Sequence, residues 1–238
     1  MPTILAIETS TEIASAAILF DGRLKSAEAA GVQTHSQTLL PMVQNLLQQA
    51  GLRLSDCDAI AFGAGPGSFT GVRTACGIAQ GLAFGLGLPV LPISTLLAMA
   101  EQARALCGAT QVMPILDARM GEVYWARYGF DGAWQTLDQA ALANPAALPT
   151  LDGVFVCGNG LALCPGAHLV SAQNPVAESI NPVRIMPHAQ YIARLGQIAF
   201  ADGHGLPASE AQPLYLRNKV AQTMVERMAE RAQRGGAR

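Results

Sequence analysis

The run from Gly63 to Arg73, Gly-Ala-Gly-Pro-Gly-Ser-Phe-Thr-Gly-Val-Arg, carries the densest chemical suggestion in this chain. Glycines free a backbone to turn its N–H groups toward one point, and a helix that follows adds the positive end of its dipole. Gly65, Gly67 and Ser68 would form such a cradle, and Arg73 would add a cation in the first helical turn. That chemistry suits an anion such as a phosphate. The run is not a Walker A loop, because no Lys-Ser/Thr pair follows its last glycine. A tight strand-to-helix connection that needs glycines only for space explains the same residues, and the two readings stand side by side.

Directly behind the loop, Gly77, Gly81 and Gly85 recur every four residues. On a helix they fall along one ridge and leave it bare, so that another helix could approach closely. Glycine costs about 1 kcal/mol per interior helix position, so three in register indicate a packing demand. Close packing inside the fold would satisfy it. An interface with another chain would do so too, and is the favoured reading, with Leu39 and Val43 of the preceding helical segment on the same surface.

Metal and thiol chemistry find little support. His35, His168, His188 and His204 are dispersed, and none pairs at ligand spacing. The five cysteines are scattered, and the gap between Cys157 and Cys164 fits neither a zinc knuckle nor a redox pair. Buried reduced thiols and no metal site are expected.

The elements that must hold these residues are legible in outline. Thr3–Thr9, Ala14–Phe20 and Leu24–Ala30 read as strands, with Asp21-Gly22 as a hairpin turn. Ser36–Ala50 has helical spacing, with Leu39, Leu40, Val43, Leu46 and Leu47 on one face, Gly51 past its end and Pro41 assigned to its first turn. Asp58–Phe62 is a strand running into the glycine loop and Val72–Gly85 the helix after it. Pro89–Pro92 is a strand, and Ser94–Ala105 a helix capped by Ser94. Val112–Asp117, the Ala118–Gly121 turn and Glu122–Tyr128 then repeat the opening pattern of strand, carboxylate, turn and strand, with Asp131-Gly132 as the next turn. That echo suggests an internal duplication. Beyond it the pattern thins to Val154–Cys157, a helix over Pro187–Ala201 and a short element over Leu214–Val220. The expected division is 1–106, 107–216 and a tail, 217–238.

Here the residues resemble a known family. Ala6–Thr11, Gly65–Arg73, Asp117–Trp125 and Pro213-Leu-Tyr-Leu-Arg217 are similar, in order and over nearly the whole chain, to the bacterial TsaB family, also called YeaZ. The resemblance implies an α/β fold of the actin-like ATPase (sugar kinase/Hsp70) type, with two ribonuclease-H-like lobes, the second reduced. It implies a role in forming N6-threonylcarbamoyladenosine on tRNA, beside a catalytic paralogue, TsaD, and an ATPase, TsaE. Helices Ser36–Ala50 and Val72–Gly85 would meet that paralogue, or a second copy when the chain is alone.

The paralogous transferases carry Asn-His-x-x-x-His to bind their metal. The corresponding positions here are Thr95 and Met99, and a hydroxyl and a thioether cannot replace two imidazoles. A non-catalytic subunit is therefore expected, against the alternative of a stand-alone nucleotide-dependent or metallopeptidase-like enzyme. In an actin-like fold, Glu8 and Asp117 would face each other across a cleft and hold Mg²⁺–nucleotide, with Thr9 and Ser10 beside them. The loop after Glu8 lacks glycine, so only weak or vestigial ATP/Mg binding is expected.

Composition narrows the partners. Half the residues are apolar and 13% are charged. The 27 uncharged residues between Arg73 and Glu101 are broken by Pro89 and Pro92, so no membrane span is expected. With no secretory leader in Met1–Glu8, the chain is placed in the cytoplasm. Residues 1–216 carry nine basic and fifteen acidic side chains, whereas 217–238 carry six and two. The body lacks the positive surface of a free nucleic-acid binder, so tRNA is expected to be met only through the complex.

Overall fold

The computed structural model describes residues 1–30, 35–164 and 180–217. His168, the end of the Leu214–Val220 element and nearly all of the 217–238 tail lie outside the described residues.

Two sheets organise the chain. The first has the order β3-β2-β1-β4-β5, built from β1 (Ile4–Glu8), β2 (Ile13–Phe20), β3 (Arg23–Ala30), β4 (Ala59–Gly65) and β5 (Val90–Ser94). β1, β2 and β3 form an antiparallel meander, and β4 and β5 continue parallel to β1. The second sheet has the order β8-β7-β6-β9, from β6 (Gln111–Arg119), β7 (Glu122–Asp131), β8 (Ala133–Ala143) and β9 (Phe155–Cys157). Again an antiparallel meander is followed by a strand parallel to its first member. The repeated opening pattern thus extends to four strands with matching order and pairing sense.

Alternation along β1 decides what covers the first sheet. Leu5 and Ile7 point to one face, where they pack with Leu39, Val43, Leu46, Ala75, Ala79 and Ala83. These come from α1 (His35–Ala50) and α2 (Phe69–Leu86). Ile4 and Ala6 point to the other face and meet Tyr191, Ile192 and Leu195 of α4 (Ala189–Ala201). α3 (Thr95–Cys107) buries Leu96, Met99, Ala100 and Ala103 against Val112, Leu116, Tyr124 and Phe155 of the second sheet. Helices therefore cross between the two stretches of chain: α3 serves the second sheet and α4 the first.

Several local expectations need correction. α2 begins at Phe69, not Val72, because Ser68 caps it by accepting from the Gly71 amide. Pro41 sits inside α1 rather than in its first turn. β8 is a long strand where the sequence reading stopped at the Asp131-Gly132 turn. The 214–217 stretch has no regular secondary structure. The Ser94 cap on α3 is found, through the Leu97 amide. No described helix is long and apolar enough to cross a membrane.

Candidate functional site

β1 and β6, the first strands of the two sheets, end beside a cavity of about 740 Å³, within the usual range of small-molecule sites. Its polar wall comes from Ser10, Gly67, Ser68, Asp117, Asn159 and Arg184, and its apolar wall from residues such as Val72, Leu116, Tyr124 and Met186. Of the residues singled out for anion or nucleotide chemistry, the fold brings Ser10, Gly67, Ser68 and Asp117 together here. Glu8, Thr9, Gly65 and Arg73 are not among the lining residues.

Glu8 is sealed beneath the loop rather than facing Asp117. It is fully buried, and one carboxylate oxygen accepts the Ser10 amide. The other has no hydrogen-bond partner among the described residues. A Cβ on Gly63 would lie 1.7 Å from that second oxygen, so the absence of a side chain at 63 makes the carboxyl's space. Burial pushes the Glu8 carboxyl up to about 7, while hydrogen bonds from Ser10 and Thr9 pull less strongly the other way. The carboxyl is thus buried and does not line the cavity.

Asp117 has the opposite environment. It lines the cavity, but its oxygens are already engaged by the Arg119 amide at 2.7 Å and the Arg119 guanidinium at 3.5 Å. Its own amide donates to Asn159 Oδ1 at 2.9 Å. Arg119 also reaches Glu12 at 3.2 Å, so the negative charge on this rim is paired.

The loop's glycines serve close approach. Thr9 donates its hydroxyl to the Gly71 carbonyl at 2.7 Å, and the Ser68 amide donates to the Ser10 carbonyl at 2.7 Å. A Cβ on Gly71 would stand 1.9 Å from the Thr9 carbonyl oxygen, and one on Gly67 2.5 Å from Ser10 Cβ. Gly65 adopts φ +108° and lies against the Leu214 carbonyl. Arg73 does not supply the expected cation to an anion. Its guanidinium lies 3.7 Å from the Phe69 ring centroid, and its Nε donates to the Tyr215 hydroxyl at 2.6 Å.

Thr95 and Met99 are both buried; Thr95 donates to the Pro66 carbonyl at 2.5 Å and Met99 packs in the core. Among the described residues, no three His, Cys, Asp or Glu side chains gather as a metal site. His35 is buried near the Glu12 carbonyl, and His188 caps α4 through the Gln190 amide. Sequence reasoning missed Asn159, Arg119 and Arg217 as site residues. Arg119 and Arg217 lie in the motifs quoted above, whereas nothing local marked Asn159.

The second candidate region is the outer side of α2. Gly77, Gly81 and Gly85 are exposed, and a Cβ on any of them would meet nothing within 4 Å. Phe84, on the same face, is 78% exposed. Beside it, Leu40, Gln44, Gln48, Leu52, Leu54 and Leu82 line a shallow groove. Of Leu39 and Val43, both expected on this surface, Leu39 is a fully buried core residue, whereas Val43, 3% exposed, lines the groove. Helical spacing carries Leu39 under α1 onto the sheet, leaving Leu40, Gln44 and Gln48 outward.

The chain can now be classed. Residues 27–151 match the family model described as TsaD: tRNA N6-adenosine threonylcarbamoyltransferase. A Haemophilus influenzae protein, tRNA threonylcarbamoyladenosine biosynthesis protein TsaB, is 39% identical over 92% of this chain and 94% of its own length. The Escherichia coli K12 protein of the same name is 40% identical over 92% of this chain and 96% of its own. The solved structure of YeaZ from Pseudomonas aeruginosa superposes with a TM-score of 0.81 at 39% identity, covering 91% of this chain and all of that one. The chain belongs to the TsaB (YeaZ) family.

Proposed function

We propose that this protein is a non-catalytic partner subunit in the formation of N6-threonylcarbamoyladenosine on tRNA, docking a TsaD-type catalytic paralogue on the outer face of α2. The names of the relatives support the pathway. The observation that carries the docking reading is the bare glycine ridge. Glycine costs about 1 kcal/mol relative to alanine at each helix-interior position, here Gly77 and Gly81, and among the described residues nothing packs on them or on Gly85 in return. A helix from another molecule would use that surface, with Phe84 and the Leu40–Leu82 groove at its edge. Alone, the chain would pair with a second copy through the same face. A TsaE-type ATPase would complete the assembly in the cytoplasm, and tRNA would be met only through it.

The same reading takes the two sheets as the cores of two ribonuclease-H-like lobes, 1–106 and 107–216, of an actin-like fold, with the residues from 217 as a basic tail. A nucleotide in the cavity is the lesser reading. Ser10, Gly67, Ser68 and Asp117 favour it, while the sealing of Glu8 and the pairing of Asp117 with Arg119 leave no free carboxylate pair for Mg²⁺.

Size-exclusion of Gly81→Leu mixed with the transferase paralogue tests the docking. The variant is expected to remain a folded monomer and to lose co-elution, and tRNA modification should fall with it. A folded variant that still co-elutes sinks the ridge as the docking surface. Retention of full modification activity when this chain is left out would sink the subunit role itself.

A further inference from the structure

The segment from Pro213 to Arg217 has no regular secondary structure, yet it makes specific contacts at both ends. At its start, the Leu214 amide donates to the Ala64 carbonyl at the end of β4, at 2.7 Å. The Leu214 carbonyl lies where a side chain on Gly65 would be, 2.9 Å from a Cβ there. Tyr215 then accepts from Arg73, and its ring centroid lies 5.8 Å from that of Phe69. All four of these contacts are with the β4–α2 region of the first sheet.

The other end belongs to the second sheet. Leu216 packs on the cluster that holds Leu116, Ala118 and Tyr124. Arg217 is largely buried and donates to Glu122 at 2.5 Å, to the Ala118 carbonyl at 3.3 Å and to the Arg119 carbonyl at 3.5 Å. Its targets surround the β6–β7 turn, where Arg119 and Met120 hold φ of +65° and +59°. Left-handed backbone is unfavourable for such side chains and persists only where surroundings over-determine it. The Arg217 guanidinium ties this turn to the segment by collecting the Ala118 and Arg119 carbonyls and the Glu122 carboxylate.

Between its two ends the segment runs along the cavity: Leu214, Tyr215, Leu216 and Arg217 all line it. α3, which packs between the sheets, contributes no lining residue. We propose that Pro213–Arg217 is a strap that fixes the separation of the cavity's two walls, the glycine loop and the β6–β7 turn, and makes them respond as one unit. Its Tyr215 end is the releasable one, because Tyr215 and Arg73 are exposed whereas Arg217 is held in a half-buried ion pair.

Amide hydrogen exchange on the full chain tests this, comparing wild type with Tyr215→Ala and Arg217→Gln. Tyr215 is expected to protect a turn it does not touch: in Tyr215→Ala, exchange over residues 117–123 should rise at least tenfold, along with that over 64–73. Arg217→Gln should raise exchange over 64–73 reciprocally. Increases confined to the mutated end in both variants would overturn the strap. Protection of the central strands β1 and β4 reports whether each variant is folded. If Tyr215→Ala loses it, Tyr215→Phe, which removes only the bond to Arg73, takes its place with the same two outcomes.

Discussion

Two sets of glycines lie within one continuous stretch, and they answer to opposite demands. Gly63, Gly65, Gly67 and Gly71 are each pressed against another part of the chain, with Cβ positions 1.7–2.9 Å from Glu8, Leu214, Ser10 and Thr9. Gly77, Gly81 and Gly85, a few turns further on, face open space. The first set is explained inside the molecule, since without it the β1–β2 loop and the start of α2 could not interlock. The second set is explained by nothing among the described residues. A glycine-rich motif is thus two devices in succession, one that closes the fold and one that leaves a face for something else.

The sharpest way to break this contrast is Gly71→Ala. The added methyl would meet the Thr9 carbonyl oxygen at 1.9 Å and the Thr9 carbonyl carbon at 2.9 Å, both backbone, with no flexible side chain to yield. Overpacking of this kind typically costs 1–3 kcal/mol and more where the backbone is fixed. We expect a loss above about 4 kcal/mol, in the range reserved for severe lesions, and little soluble folded protein. Urea denaturation checks it, and a variant within about 1 kcal/mol of wild type would place the loop glycines in the same class as the helix glycines.

A second measurement sharpens why Gly63 is small. The space it leaves holds the Glu8 carboxyl, whose pKa burial raises from 4.5 to about 7. The folded state then binds the proton more tightly than the unfolded chain. The associated stability is complete below about pH 4.5, declines as pH rises toward 7, and is gone above it. At about 1.4 kcal/mol per unit, the loss amounts to roughly 3 kcal/mol. Glu8→Gln, which keeps the shape and cannot ionise, should lack this decline. It should therefore gain on wild type by roughly 3 kcal/mol between pH 4.5 and pH 8, read from urea midpoints at each pH. Parallel stability–pH curves for the two proteins would show that Glu8 is solvated or paired.

What the sequence revealed follows the range of the interactions involved. The α1 face, the Ser94 cap and the hairpin turns at Asp21-Gly22 and Asp131-Gly132 depend on neighbours a few residues away, and all were readable. β8 was not, because its run Ala-Trp-Gln-Thr-Leu-Asp-Gln-Ala-Ala-Leu-Ala has no clean alternation and few β-branched residues. Leu39 and Val43 were correctly placed on one helical face, but periodicity cannot say whether that face meets the sheet or a partner. Glu8 and Asp117 share a local signature, a carboxylate at the end of an apolar strand. The tertiary approach of Gly63 seals the one, whereas Arg119, two residues along the chain, engages the carboxylate of the other.

The smallest effect is also the one that isolates the second glycine set. Gly81→Ala adds a methyl that meets nothing within 4 Å, and alanine is better than glycine in a helix interior by about 1 kcal/mol. The isolated chain should therefore become more stable by up to about 1 kcal/mol, the reverse in sign of Gly71→Ala ten residues earlier. Measured at protein concentrations low enough to keep the chain monomeric, this gain reports the helix alone. Raising the concentration, or adding the paralogue, should erase the advantage if a second helix then needs the bare backbone, because the methyl stands in its path. A gain that stays constant whatever the chain is mixed with would mean that nothing docks along the ridge. A loss of stability in the monomer would mean that Gly81 is packed after all, and would dissolve the distinction between the two sets.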